Sequence, residues 1–127
     1  MAARQGALGE RLAAARLKKY GLKIITRNWR SPRDQRDEID LVCLDGEVLV
    51  FVEVKARAAG ALVSGYHAID RRKKTALRRA IDTYLKALKP PDRPKTFRFD
   101  VVEVEMAAEP IVRHFENVPL FEKEYGF

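Results

Sequence analysis

The segment Val48 to Arg57 reads VLVFVEVKAR, an apolar run interrupted by Glu53 and Lys55, and the segment EIDLV upstream carries Asp40 in a similar apolar setting. Asp45-Gly46 between them is the dipeptide best suited to the positive φ angles of a two-residue hairpin turn. With that turn Leu44 pairs with Glu47, Asp40 faces Phe51 and Glu38 faces Glu53, and residues directly opposite share a side of the sheet. Glu38, Asp40, Val42 and Leu44 then lie with Glu47, Leu49, Phe51, Glu53 and Lys55. Ile39, Leu41, Cys43, Val48, Val50, Val52 and Val54 form an apolar second face. Asp40 and Glu53 become diagonal neighbours with Cβ atoms about 5 to 8 Å apart, a spacing that suits a shared divalent cation.

Carboxylates converging in a mostly buried sheet repel unless protons or a cation compensate them. Oxygen ligands without Cys or His favour Mg²⁺ or Mn²⁺ over Zn²⁺. Lys55 would stand beside such an ion and aim its ammonium at whatever the ion binds, with a phosphate the natural guest. Glu53 and Lys55 alone are compatible with a solvated strand end whose charges neutralise each other. An acid in EIDLV placed by the turn beside an acid in FVEVK is what such an edge does not require.

The elements that position these residues can be read from periodicity. Ala7 to Tyr20 has Leu8, Leu12 and Ala15 at helical spacing, with Gly21 as a stop. GLKIITRNW is a short strand, and RSPRDQRD a polar loop. The two hairpin strands follow, then a small-residue loop, AAGALVSGYHA. Asp70 caps a second helix that runs to about Leu88, with Leu77, Ile81, Tyr84, Leu85 and Leu88 on one face, and Pro90, Pro91 and Pro94 end it. TFRFDVVEVE reads as a strictly alternating fourth strand and IVRHFENV as a fifth, paired with it across AAEP. The order α-β-β-β-α-β-β predicts an α/β fold, a small mixed sheet of about five strands flanked by helices. The strand after the second helix should run parallel to the hairpin strand before it.

A chain of 127 residues with 46% hydrophobic residues, 7 Gly and 6 Pro fits one domain over 1–127. The N-terminal MAARQGALGE lacks the apolar core of a signal peptide and no run is long enough to span a membrane, so a cytoplasmic protein is expected. Cys43 is core filling in a strand. The 25 Lys and Arg against 18 Asp and Glu give a net charge of +7, which favours a polyanionic partner, nucleic acid above all.

Gly9-Glu10, RNWR at Arg27 to Arg30, EIDLV at Glu38 to Val42, FVEVKAR at Phe51 to Arg57, Lys73, and RFDVVEV at Arg98 to Val104 together resemble the YraN family of small bacterial proteins. The Asp, hairpin and E-x-K arrangement, preceded by a helix bearing a Glu, resembles the PD-(D/E)XK nuclease superfamily. Asp37 stands where the YraN pattern commonly has Gly. The resemblance implies a restriction-endonuclease-like core and an activity related to Holliday-junction resolvases. It implies metal ligation by Asp40 and Glu53, with Lys55 as the catalytic lysine and Glu10 completing the site. The backbone carbonyl of Val54 is a further candidate ligand.

The expected function is therefore a Mg²⁺- or Mn²⁺-dependent DNA endonuclease of the resolvase type, acting on branched or structured DNA. The alternative is a nucleic-acid-binding module with the same fold and no turnover. DRRKKTALRR, Asp70 to Arg79, is either a solvated helix face or a phosphate-binding helix N-terminus presenting Arg71, Arg72 and Lys73, with Lys73 the residue nearest the site. Glu38 either joins the metal site or pairs with Arg36. His67 is more ordinarily an exposed loop residue, and Trp29 and Tyr66 packing residues, than site contacts. Junction cleavage would require a homodimer, for which Leu120 and Phe121 are interface material or core caps.

Overall fold

The structure, a computed structural model, describes residues 2–60 and 69–121. The first helix, α1 (Ala2–Lys19), begins earlier than its apolar spacing suggested and buries Ala13, Ala14 and Leu17. Arg16, Lys18 and Lys19 in its last turn complement the negative end of the helix dipole, and Gly21, at φ +91°, terminates it. Near its start the helix comes so close to the sheet that a Cβ on Gly9 would lie 3.2 Å from the Ala56 Cβ.

Strands β1 (Lys23–Arg30), β2 (Glu38–Asp45), β3 (Val48–Ala58), β4 (Phe97–Met106) and β5 (Ile111–Phe115) form one sheet in the order β1-β2-β3-β4-β5. As expected, β3 and β4 are parallel, and the other neighbouring pairs are antiparallel. Helix α2 (Arg71–Ala87) makes the β3-to-β4 crossover. Asp70 caps it by accepting the Lys73 N–H at 2.8 Å, and it ends before a short 3-10 turn at Pro90–Asp92. The helices cover opposite faces. Leu41, Cys43, Val50, Val52, Val102 and Val104 pack with α1, whereas Val42, Leu49, Phe51, Phe99 and Val101 pack with Leu77, Ala80 and Ile81 of α2. Trp29 stacks edge-on against Tyr84 at 5.3 Å, which makes it a packing residue.

The hairpin register differs from the expected one. Asp45 pairs with Val48 and Leu44 with Leu49, so Gly46 and Glu47 form the turn. Positive φ falls on Gly46 alone, at +61°, the pattern of a turn with glycine at its first central position. Asp45 is held in the strand, where its carboxylate meets Arg98 at 2.9 Å, a long-range ion pair invisible to local turn preferences. The slip is even, so Asp40 and Glu53 keep their side of the sheet. Ile39 is the exception: it joins the α2-side core with Trp29, its partner on β1, just after Asn28 breaks the strand with φ +52°. The strict alternation expected of β4 also fails, because it is an interior strand covered on both faces and is buried from Phe99 to Val104, Asp100 and Glu103 included.

Candidate metal and phosphate site

Pairing of β2 with β3 stops at Leu41 and Val52. One step further the same register sets Asp40 directly opposite Glu53, where a diagonal relation was expected. The backbone N–H of Val54 donates to Asp40 Oδ2 at 2.8 Å, so a side chain takes over as acceptor where the ladder ends. Both acids are buried, Glu53 to 3% exposure. Burial, then the neighbouring Glu53 carboxylate, pushes the pKa of Asp40 up to about 9 against the Val54 hydrogen bond, and hydrogen bonds shared with Glu53 and Glu38 reinforce the rise. The pocket thus demands a proton or a cation between its carboxylates.

Two ammonium groups approach from the same side. Lys55 Nζ lies 3.5 Å and Lys73 Nζ 3.4 Å from Glu53 Oε2, which brings the E-x-K strand and the first turn of α2 together. Glu53 Oε1 is buried without a hydrogen-bond partner among the described residues. An orphaned buried carboxylate oxygen beside a proton-hungry acid fits a hard divalent cation with oxygen ligands.

Other expected residues divide. Glu38 pairs with Arg30 at 2.9 Å, and Arg36 with Asp34 at 2.8 Å, so the expected Glu38–Arg36 bridge is replaced by a cross-strand one. Glu10 sits half-buried beside Gly9, over Val54 and Ala56, and no hydrogen bond or ion pair joins it to the carboxylates among the described residues. Val54 contributes its N–H to Asp40. Arg71 and Arg72 are exposed and line a groove with Arg36 and Arg79. Tyr66 and His67 lie outside the described residues. Leu120 is buried in the α2-side core, and the more exposed Phe121 stacks on Phe97. Burial raises the Cys43 thiol to about 12, consistent with core filling.

Two acids were missed because their partners are remote in sequence. Asp100 is fully buried on β4 and binds Arg98 at 3.0 Å, His114 at 2.7 Å and the Asn117 N–H at 2.9 Å. Burial alone would raise its pKa, but these hydrogen bonds outweigh burial and hold it below the usual carboxylate range. Asp100, His114 and Glu116 also offer ligand atoms within 4.8 Å of one another, a group that could hold a metal ion. Arg98, in contact with Asp100, Glu116 and Asp45, already supplies positive charge there. Glu103, also on β4, meets Arg57 and Arg113, each at 3.2 Å. The repeated two-residue spacing of Arg98 and Asp100 was the available sequence signal, since such residues share a strand face.

The site is thus defined as a carboxylate pair with two lysines at the end of a mixed five-stranded sheet sandwiched by two helices. The sequence model described as "Uncharacterised protein family UPF0102" matches residues 9–104, which include Glu10, Asp40, Glu53, Lys55 and Lys73. The chain belongs to this family, the one also called YraN. It is 34% identical to a UPF0102 protein of Alkaliphilus oremlandii over 113 residues, 88% of this chain and 94% of the relative. It is 42% identical to one of Anaeromyxobacter dehalogenans over 111 residues, 87% and 79% of the two chains. A Moorella thermoacetica relative is 40% identical over 101 residues, 80% of each. Among the described residues no helix is long and apolar enough to cross a membrane.

Proposed function

We propose that this protein is a metal-dependent DNA endonuclease of the PD-(D/E)XK type, resolvase-like in its preference for branched or structured DNA. The observation that carries the reading is the buried Asp40–Glu53 pair, with an orphaned Glu53 oxygen and two lysines within 3.5 Å of the other. Asp40 and Glu53, with the Val54 carbonyl, would hold Mg²⁺ or Mn²⁺, which supplies charge neutralisation and an activated water for phosphodiester hydrolysis. Lys55 stabilises negative charge developing on the phosphoryl oxygens. Lys73 fixes Glu53 and brings the N-terminus of α2 to the substrate, and Arg71 and Arg72 extend the positive surface along the helix. Acting on a junction would take two such sites, hence a homodimer in the cytoplasm.

A second reading, a nucleic-acid-binding module without turnover, draws on the contact between Lys73 and Glu53. That ammonium, with a proton on Asp40, compensates the acids without a metal. Incubating purified protein with duplex, single-stranded and four-way-junction DNA in Mg²⁺, Mn²⁺ or EDTA separates the two. Cleavage in either ion and none in EDTA is expected; binding without cleavage would establish the module instead.

A further inference from the structure

Beyond the acids and lysines, β3 carries a third cation on the same side as Glu53 and Lys55, because residues two apart in a strand share a face. Arg57 reaches Glu103 of β4 through Nε, 3.2 Å from Oε2, but the geometry makes no hydrogen bond, and both atoms are buried without a hydrogen-bond partner. No hydrogen bond to any part of the Arg57 guanidinium occurs among the described residues. Glu103 is otherwise occupied: its Oε1 takes a hydrogen bond from Arg113 Nη1 at 3.2 Å, and Arg113 also binds Glu105 at 3.0 Å. Glu103 is the register partner of Lys55, so this anchor lies immediately beside the lysine. A buried acid therefore holds a mostly buried guanidinium by one nitrogen and leaves its planar fork unsatisfied next to Lys55, a poor arrangement for stability alone. The fork geometry matches two oxygens of one phosphate.

We propose that Arg57, positioned by Glu103, binds a backbone phosphate of the nucleic acid next to the one engaged by Lys55, so that the substrate strand runs along β3 away from the carboxylates. This rests on the reading of the site as one that takes a nucleic-acid backbone. Arg113 still neutralises Glu103 when Arg57 is removed, so Arg57→Ala should fold.

The test is the salt dependence of binding to a labelled DNA duplex and a labelled four-way junction, measured by fluorescence anisotropy in Ca²⁺. Arg57→Ala should lower the slope of log affinity against log salt by about 0.9, the loss of one phosphate contact. Arg57→Lys should keep the slope but lose cleavage in Mg²⁺, because a point charge does not reproduce the fork. Arg11→Ala, at an exposed position of α1, should change neither. If Arg57→Ala unfolds, Arg57→Gln, which retains the stem, carries the same measurement. A slope equal to wild type in a folded variant overturns the Arg57 contact and leaves the nuclease reading standing. Wild-type protein that binds but never cleaves, with the slope reduced in Arg57→Ala, removes the nuclease reading and supports the contact. Wild-type protein that binds neither DNA form overturns both.

Discussion

At the scale of single residues, the chemistry turns on how two carboxylates share one buried place. Asp40→Asn or Glu53→Gln should abolish Mg²⁺ binding in calorimetric titrations while leaving the metal-free fold as stable or more so, because each removes a like-charge repulsion. Heats matching wild type would reject the ligand assignment. The raised pKa of Asp40 also sets a pH dependence. An acid protonated in the fold and ionised when unfolded adds stability below its unfolded pKa, and that stability drains away as pH rises through the folded value. The melting temperature of metal-free protein should therefore fall between about pH 5 and pH 9, and Asp40→Asn should flatten the decline. Lys55 has a different task, since it touches Glu53 without being a ligand. Lys55→Ala should keep metal and DNA binding but cut cleavage about 10²-fold or more, the usual loss when one transition-state electrostatic partner is removed. Equal cleavage rates for variant and wild type would discard this mechanism.

At the scale of elements, α2 links the sheet to the proposed substrate surface. Its apolar stripe buries Leu77, Ala80 and Ile81, while its first turn delivers Lys73 to Glu53 and leaves Arg71 and Arg72 exposed. Arg36 and Arg79 line the same groove but are each engaged by an aspartate, Asp34 and Asp37 respectively. Charge reversal at Arg71 and Arg72 together should weaken DNA binding and flatten its salt dependence without changing the thermal midpoint. An affinity that stays at the wild-type value across a salt series would remove this helix from the footprint. The bidentate contact of Arg79 with Asp37 also explains how an aspartate occupies the place where related sequences commonly carry glycine. The backbone there is not in the left-handed region, so glycine's conformational freedom is not needed.

Across the whole molecule, charges bind the sheet into one piece. The network of Arg98, Asp100, His114, Asp45 and Glu116 ties the hairpin turn, β4 and the end of β5 together on the α1 side. Breaking a buried pair by removing one partner leaves the other charge uncompensated and typically costs about 3 to 5 kcal/mol. Asp100→Ala should therefore shift the urea midpoint by the largest margin of the substitutions considered, whether or not Mg²⁺ is present. A midpoint at the wild-type value would mean that this network does not stabilise the fold.

The sequence by itself determined the order of elements, the parallel β3–β4 pair, the Asp70 cap and the sharing of one face by Asp40, Glu53 and Lys55. All of these follow from local periodicity, turn chemistry and the two-residue repeat of a strand. It also placed Lys73 beside the site, because helical spacing from Leu77 fixes which way that lysine points. The tertiary structure alone decided the hairpin register, since the pull of Arg98 on Asp45 lies far beyond the turn. It alone decided that Asp100 and Glu103 are buried, because covering β4 on both faces is a property of the assembled sheet and not of its own residue pattern. The raised pKa of Asp40 belongs to the same class: it arises where two separate strands enter a space from which water is excluded, and neither strand encodes that burial alone.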